Sequence, residues 1–532
     1  MTLTATSPLK QTEPAQETQE ETTVMTARRP NRRAVMVSAV LTQLMIVLDL
    51  TIIAIALPHM QEDLGMTVSQ SPWTVTGYSL AFGGLVLFGG RLCAVVGIRR
   101  SYQVGLIGFG IASLAAGMAT SFPVLLAARV AQGCFGALLA PTSQSLLNVT
   151  FTERAERERV FAIFGATGGL GAAVGLLVGG ALTDWFSWRW ALYINILIAA
   201  AALLIGQRSL PPADQRDRDS RITDDLSGLV LGCGACFSAV YGLDRAQQTS
   251  WTSTSTVSWL ALGGIAAALF VVRERFANRP VLPLSMMALS VRAASYATQF
   301  IAGAAQMGTI IYLTYYMQNH FGYSPLKSGV VFLPMVLALI ATAIPAGRII
   351  VPRLGARGTL PLGVAVLAGS LLILSRMTTE STYSQVALPG LIVFGIGLGL
   401  TMPVTFNSGT RGVDAKRTGL ASAILSAAQQ IGGSFGVALM TSYATQHAED
   451  YVTDHTEEVK AAAMEAMMRA QTLPQSPAGK QIIETLKAQL VDRAQIEAYA
   501  GGFTMMAWLL AGAVVILVVC GIGLSLRRRR RR

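Results

Sequence analysis

Stretches of apolar residues alternate with short polar segments along almost the whole chain. A helix needs about 20 largely apolar residues to cross the hydrocarbon core of a membrane. Candidates lie near 34–57, 73–93, 102–120, 124–147, 160–182 and 188–206. A second series follows near 226–246, 256–273, 294–318, 327–351, 358–376, 384–407, 418–443 and 503–526. The pattern predicts fourteen transmembrane helices. Two segments stand outside it. Residues 1–27 are polar, with an acidic run from Glu13 to Glu21, and lack the basic-then-apolar order of a cleaved signal peptide. They predict a disordered cytoplasmic tail. Residues 444–501 are rich in Ala, Glu and Lys and broken by Pro474 and Pro477, and they hold nine carboxylates to five basic groups. They predict an extracytoplasmic helical hairpin, either a solvated spacer or a lid over the outer exit.

Charge tests the helix count independently, because cytoplasmic loops collect Lys and Arg. With the N-terminus inside, inner segments receive the clusters Arg28–Arg33, Arg91–Arg100, Arg154–Arg159, Arg208–Arg221, Arg273–Arg292, Arg348–Arg357 and Arg411–Arg417, and the run Arg527–Arg532. Of the chain's 41 basic residues, the short outer loops hold only Arg189, Arg245, Lys327 and Arg376. One helix more or fewer in the middle would invert this bias for everything after it. The reading places the chain in the inner, cytoplasmic membrane with both termini on the cytoplasmic side.

Composition agrees. Of the 532 residues 52% are hydrophobic and 13% charged, with mean hydropathy +0.50, whereas an ordinary soluble domain carries about 25% charge. Fifty-two glycines suit close helix packing. The net charge of +12 lies between apolar segments rather than on one polar domain, which argues against a nucleic-acid partner. Cys233 and Cys236 form a C-x-x-C without a second ligand pair, so they read as small apolar helix residues, and neither metal nor cofactor is expected. No phosphate loop or nucleophile–base set points to an enzyme.

Polar residues inside spans carry the candidate chemistry. Asp49 lies about 5 Å outward of the middle of the first span, at 1.5 Å per residue. A carboxylate there is costly unless protonated, paired or facing water. Arg129, in the outer half of the fourth span, lies at a similar depth and is its natural partner. A guanidinium nearby favours the charged carboxylate and apolar surroundings favour the neutral acid, so the balance shifts with conformation, as coupling to a proton gradient requires. The alternative is an ion pair that only fastens two helices. Gln43, Tyr78, Gln306, Asn407, Gln429 and Gln430 are further polar groups inside spans, and either line a cavity or bond neighbouring helices. The histidines His59, His320, His447 and His455 all fall on the outer side.

At this point the sequence resembles the major facilitator superfamily, specifically its fourteen-helix drug:proton antiporter branch of the QacA and EmrB type. The first-helix signature is met by Leu48, Asp49, Thr51, Ala56, Leu57 and Pro58, and W-T-V-T-G-Y-S-L begins at Trp73. R-x-x-Q-G is present as Arg129, Gln132 and Gly133. W-R-W-A-L-Y-I-N from Trp188 and Y-Y-M-Q-N-H-F-G-Y-S-P-L-K-S-G from Tyr315 are longer matches, as is G-L-A-S-A near Gly419. The resemblance implies an all-α integral membrane fold: a six-helix bundle over 28–210, a linker with helices seven and eight over 211–292, and a second bundle over 293–526. A basic tail would close the chain at 527–532. It further implies Asp49 and Arg129 in proton coupling, a midplane site worked by alternating access, and small hydrophobic or cationic substrates. Protons, membrane lipids and a monomeric state complete the expected partners.

Three departures matter. In the gating motif after helix two, Gly90, Arg91, Gly97, Arg99 and Arg100 remain, but Ala94 and Val95 replace the usual acid and arginine. The fifth-helix antiporter motif keeps Gly171, Gly175, Gly179 and Gly180 but has Leu176 for its proline, removing the usual cause of a kink. Ala54 replaces an asparagine often found in the first helix. Proton-coupled efflux of drugs or toxic natural products is the leading expectation. Export of a lipid or a self-made antibiotic is the second, and a transport-dead membrane sensor or scaffold the third.

Overall fold

A computed structural model describes residues 31–67, 70, 71, 73–207, 210, 226–277, 290–411, 413, 415–469, 474 and 476–529. The tail 1–27, most of the linker before residue 226 and Arg530–Arg532 lie outside these residues.

Every described element is helical. The first group comprises α1 (Arg32–Asp63), α2 (Trp73–Val96), α3 (Ile98–Gly117), α4 (Phe122–Thr150), α5 (Arg154–Trp185) and α6 (Trp188–Gln207). Next come α7 (Leu226–Gln248) and α8 (Thr254–Phe276), and then α9 (Ser290–Tyr315), α10 (Pro325–Val331) and α11 (Leu333–Pro345). The chain continues with α12 (Val351–Leu374), α13 (Leu388–Thr410), α14 (Ala415–Arg469) and α15 (Pro477–Arg529). Local chemistry sets several starts. The Asn31 side chain accepts from Ala34 N, and Ser253 accepts from Thr256 N, each supplying a bond that the first turn lacks. Ser324 caps α10 with Pro325 in its first turn, where a missing N–H costs nothing.

Among the described residues, eight helical stretches are long and apolar enough to cross a membrane. The expected span 327–351 is a broken passage: α10 ends at Val331, Phe332 turns before Pro334, and a π-helical turn at Ala346–Ile350 follows Pro345. At Gly355, φ of 67° and ψ of 166° place a second break, in a region open to glycine. Residues 444–501 are not a separate unit. α14 runs unbroken for 55 residues from its apolar half into the polar one, and α15 returns over 53 residues.

Helices α1 to α6 pack on one another, chiefly as α2 on α4, α1 on α5 and α6, and α3 on α4 and α6. Helices α9 and α11 to α15 form a second group, with α9 on α14, α13 between α11 and α12, and α12 on α15. The α7–α8 pair leans on α2 and α14 through α7. The two groups meet along α14, which packs on α2 and α4, and at the end carrying the 321–324 loop. A Cβ on Gly180 would lie 2.6 Å from Pro325 O and 2.9 Å from Leu326 Cα, and one on Gly329 would collide with Leu176 O. Gln318 Nε2 adds a 3.3 Å bond to Ile55 O. Leu176 itself is buried in the second group's core.

Candidate functional site

Polar residues from five of the first six helices converge on one carboxylate. Asp49 and Arg129 are both sealed from solvent, with Arg129 Nη1 donating to Asp49 Oδ2 at 2.6 Å. Asp49 Oδ1 accepts from Gln132 Nε2 at 3.1 Å and from Asn195 Nδ2 at 2.7 Å. Gln132 stands three residues after Arg129, hence on the same helix face. Its Oε1 accepts from Arg129 Nη1 at 2.8 Å and its Nε2 donates to Ser113 Oγ at 2.7 Å. Arg129 Nε donates to Thr74 O at 3.0 Å, and the guanidinium lies 4.7 Å from the centre of the Tyr78 ring. One anion thereby ties together α1, α2, α3, α4 and α6. Arg129 Nη2 and Asn195 Oδ1 are buried without a partner among the described residues, so the network is incompletely satisfied and has hydrogen-bonding capacity to rearrange.

Another face of α1 borders a cavity. The space, about 780 Å³ counting its mouth, is lined from α1 by Gln43, Ile46, Val47, Leu50 and Thr51. The second group contributes Gln306 and Met307 from α9, Met402 and Phe406 from α13, and Ser426, Gln429 and Gln430 from α14, with Phe82, Ala140 and Phe164 completing the wall. A mostly apolar cleft with a few polar groups is the kind of lining expected of a small-molecule site. Four of the six sequence-predicted cavity residues are here. Tyr78 is not: it is fully buried under Arg129 and stacks on Phe82, which does reach the cavity. Asn407 is not either. It is exposed near the end of α13, and Phe406, one helical position earlier, takes the place at the wall.

The glycines of α5 serve contact rather than flexibility. A Cβ on Gly171 would press on Leu44 and Val47, one on Gly175 would collide with Thr51 Oγ1, and one on Gly179 would meet Ile52 at 2.9 Å. These three form the bed for α1, and Gly180 forms the bed for α10. With leucine at 176, α5 is an uninterrupted helix of 32 residues. In the gating motif, Gly97 caps α3 at φ 97°, a conformation only glycine adopts readily. Gly90 and Arg91 are half-buried, Arg99 Nη2 donates to Gln207 O at 3.4 Å, and Arg100 is exposed.

Sequence reasoning missed Asn195 as a partner of the anion, Ser113 as a partner of Gln132, and the burial of Asp244 near the end of α7. Gln132 was legible in principle from its three-residue offset. Beyond the apolar stretch of α1, Asp63 Oδ2 accepts from Arg189 Nη1 at 2.6 Å and Trp188 Nε1 at 3.0 Å. These two donors, Arg189 foremost, hold its carboxyl below the usual range.

A multi-pass helical protein with a sealed ion pair on one side of a helix and a small-molecule cavity on the other has the layout of a membrane transporter. The chain belongs to the Major Facilitator Superfamily, whose sequence profile matches residues 39–437. It is 39% identical over 429 residues to the puromycin resistance protein pur8 of Streptomyces alboniger, covering 80% of this chain and 84% of that one. To the tetracenomycin C resistance and export protein of Streptomyces glaucescens it is 32% identical over 499 residues, covering 91% and 90%. The human organic anion transporter MFSD10 shares the fold with a TM-score of 0.58 at 15% identity, over 92% of this chain and 100% of that one.

Proposed function

We propose that this chain exports antibiotic-like or drug-like small molecules across the cytoplasmic membrane, using the proton gradient. The observation that carries the reading is the double-sided environment of α1, with a buried, triply hydrogen-bonded Asp49 on one face and the cavity on another. The relatives' names, a resistance protein and a resistance and export protein, support export as the direction. Export of a product made by the same cell fits those names equally and uses the same geometry.

In this mechanism a proton reaching Asp49 removes the charge that Arg129 faces, and the contacts of the pair loosen. α1 then changes its seat. Because α1 lies on Gly171, Gly175 and Gly179, its movement passes to α5, and through Gly180 and Leu176 to the closed end against α10 and Gly329. Substrate in the cavity acts on the same helix through Val47, Leu50 and Thr51. The two groups rock about the cavity, exposing it alternately. The end carrying the 321–324 loop and residues 444–501 faces outward, and both termini face the cytoplasm. Counting α10 and α11 as one passage gives fourteen spans: six within 28–210, two within 211–292 and six within 293–526. The exposed apolar face of α8 contacts lipid, and one chain suffices for transport. The experiment is uphill movement of labelled puromycin by purified protein in liposomes under an imposed pH gradient. Equal concentrations on both sides at steady state, with and without the gradient, would sink the coupled-export reading.

A further inference from the structure

The network around Asp49 leaves polar atoms unused. Arg129 Nη2 is a buried donor without a partner among the described residues, and Tyr78 OH, Thr74 Oγ1 and Asn195 Oδ1 are buried acceptors in the same condition. Unpaired groups in a dry interior are costly, and a second arrangement in which they pair accounts for the cost. Of the three acceptor side chains, Tyr78 is the one whose ring already carries the guanidinium, with 4.7 Å between the Arg129 Cζ and the ring centre. A cation can cross such a face without losing its attraction. The ring itself is pinned. It is fully buried and stacked on Phe82, with centroids 5.8 Å apart and planes at 25°. Its hydroxyl lies against α4, where a Cβ on Gly136 would stand 3.1 Å from the oxygen and 3.0 Å from Phe82 Cδ2.

Asp49 Oδ2 holds the guanidinium at 2.6 Å. Once that carboxylate is neutral the charge-assisted bond is gone, while the bond from Nε to Thr74 O and the ring contact remain. We infer that Tyr78 is the second resting place of Arg129: with Asp49 protonated, the guanidinium moves across the ring and Nη2 donates to the Tyr78 hydroxyl. The groups that otherwise face Asp49 are neutral, namely Gln132 from α4, Asn195 from α6 and, through Gln132, Ser113 from α3. Helix α5 meets α1 through glycines, and Tyr102 of α3 bonds Ser38 and Thr42 two turns away. The move carries the effect of the proton from α1 to α2. Helix α2 packs on α14 of the second group, and a Cβ on Gly83 would stand 3.8 Å from Ile431 Cγ1 and 4.0 Å from Gln430 Cβ. Tyr78 is thereby a positioning residue, and this meaning of the move rests on the coupled-export reading.

The test is a double-mutant cycle on the purified full chain, read by thermal melting without substrate or gradient. Asp49→Asn stands in for the protonated acid, and Tyr78→Phe keeps the ring and removes only the hydroxyl. With Asp49 intact at neutral pH, Tyr78→Phe should move the melting temperature by no more than about 1 °C, since the hydroxyl has no described partner there. In the Asp49→Asn background the same change should lower it by about 2–4 °C, because a bond from a charged donor is lost. On acidification from about pH 8 to pH 5 the cost with Asp49 intact should rise toward that value, while the cost in Asp49→Asn stays level. Thr74→Val, which removes a competing hydroxyl, should cost the same in both backgrounds. Equal costs of Tyr78→Phe in the two backgrounds, or coupling shown by Thr74→Val instead, would overturn the inference. Where Asp49→Asn is too unstable to purify, the pH series decides, and a cost of Tyr78→Phe that does not rise on acidification overturns it as well. Coupling at Tyr78 in a chain that never moves substrate uphill would fault the export reading alone.

Discussion

Replacing Asp49 by asparagine removes one charge and almost no volume, and its effects can be worked through atom by atom. The Asn oxygen can still accept from Gln132 and Asn195. The new amide nitrogen then faces Arg129 Nη1, a donor against a donor, so the 2.6 Å charge-assisted bond is lost. Such a bond is worth about 1.5–3 kcal/mol net. Arg129 keeps Gln132 Oε1, Thr74 O and the Tyr78 ring, so the variant folds with a lowered melting temperature. Arg129→Ala is worse, about 3–5 kcal/mol, because it strands a buried carboxylate and opens a hole. Asp49→Asn with Arg129→Gln should recover part of that loss, the signature of coupled neighbours. Function follows a different order. A gradient of about 2 pH units stores about 2.7 kcal/mol per proton, enough for about hundredfold accumulation at one proton per substrate. Proteoliposomes holding Asp49→Asn should accumulate none, while downhill exchange continues. The double variant should regain stability and still accumulate none. Full accumulation by Asp49→Asn would reduce the pair to a helix fastener.

Three further outcomes follow from the geometry. Gly180→Leu drives a side chain into the backbone of Pro325 and Leu326, an overpacking of about 1–3 kcal/mol. Spin labels at Asp184→Cys and Lys327→Cys, in a background without native cysteines, should move apart, and an unchanged distance would mean that this contact does not hold the end closed. Asp63 is held below the ordinary carboxylate range, so its pairing with Arg189 stabilises at neutral pH and is lost as pH falls through the depressed value. The contribution is small because the pair is partly exposed. Melting curves between about pH 6 and pH 3 should therefore be slightly flatter for Asp63→Asn than for the unaltered chain, and identical slopes would remove the pair from the acid response. Epitope tags at either terminus should be reached by antibody only after the cells are opened, and labelling of intact cells would reverse the orientation.

What the sequence makes legible here depends on how expensive each residue is. Asp49 and Arg129 are charges in apolar stretches at matching depth, so their cost announces them, and the structure sets them 2.6 Å apart. Asn195 and Ser113 are neutral. A neutral polar residue in a span costs little when a neighbouring helix supplies a partner, and that partner is invisible without the packing. Asn407 shows the same ambiguity from the other side. Its depth matched the cavity residues, but position along a helix does not give rotation about it, and the wall belongs to Phe406. The broken passage at 325–350 was hidden because hydropathy averages over Pro334 and Pro345, whereas the long helices α14 and α15 continue through a change from apolar to polar that a hydropathy reading treats as a boundary.

Because α1 stands as a wall between the anion and the cavity, the coupled-export reading keeps the ion and the cargo in separate compartments. The part of the cavity wall formed by Gln43 and Leu50, away from the α5 contact, can be redrawn by substitution without touching Arg129, Gln132 or Asn195 behind it. On the coupled-export reading, the half that takes up the proton is kept while cargo preference changes, and new specificities arise by single changes on one side of one helix. On the same reading, substitutions at 49, 129, 132 or 195 enjoy no such freedom, since every cargo would depend on them alike.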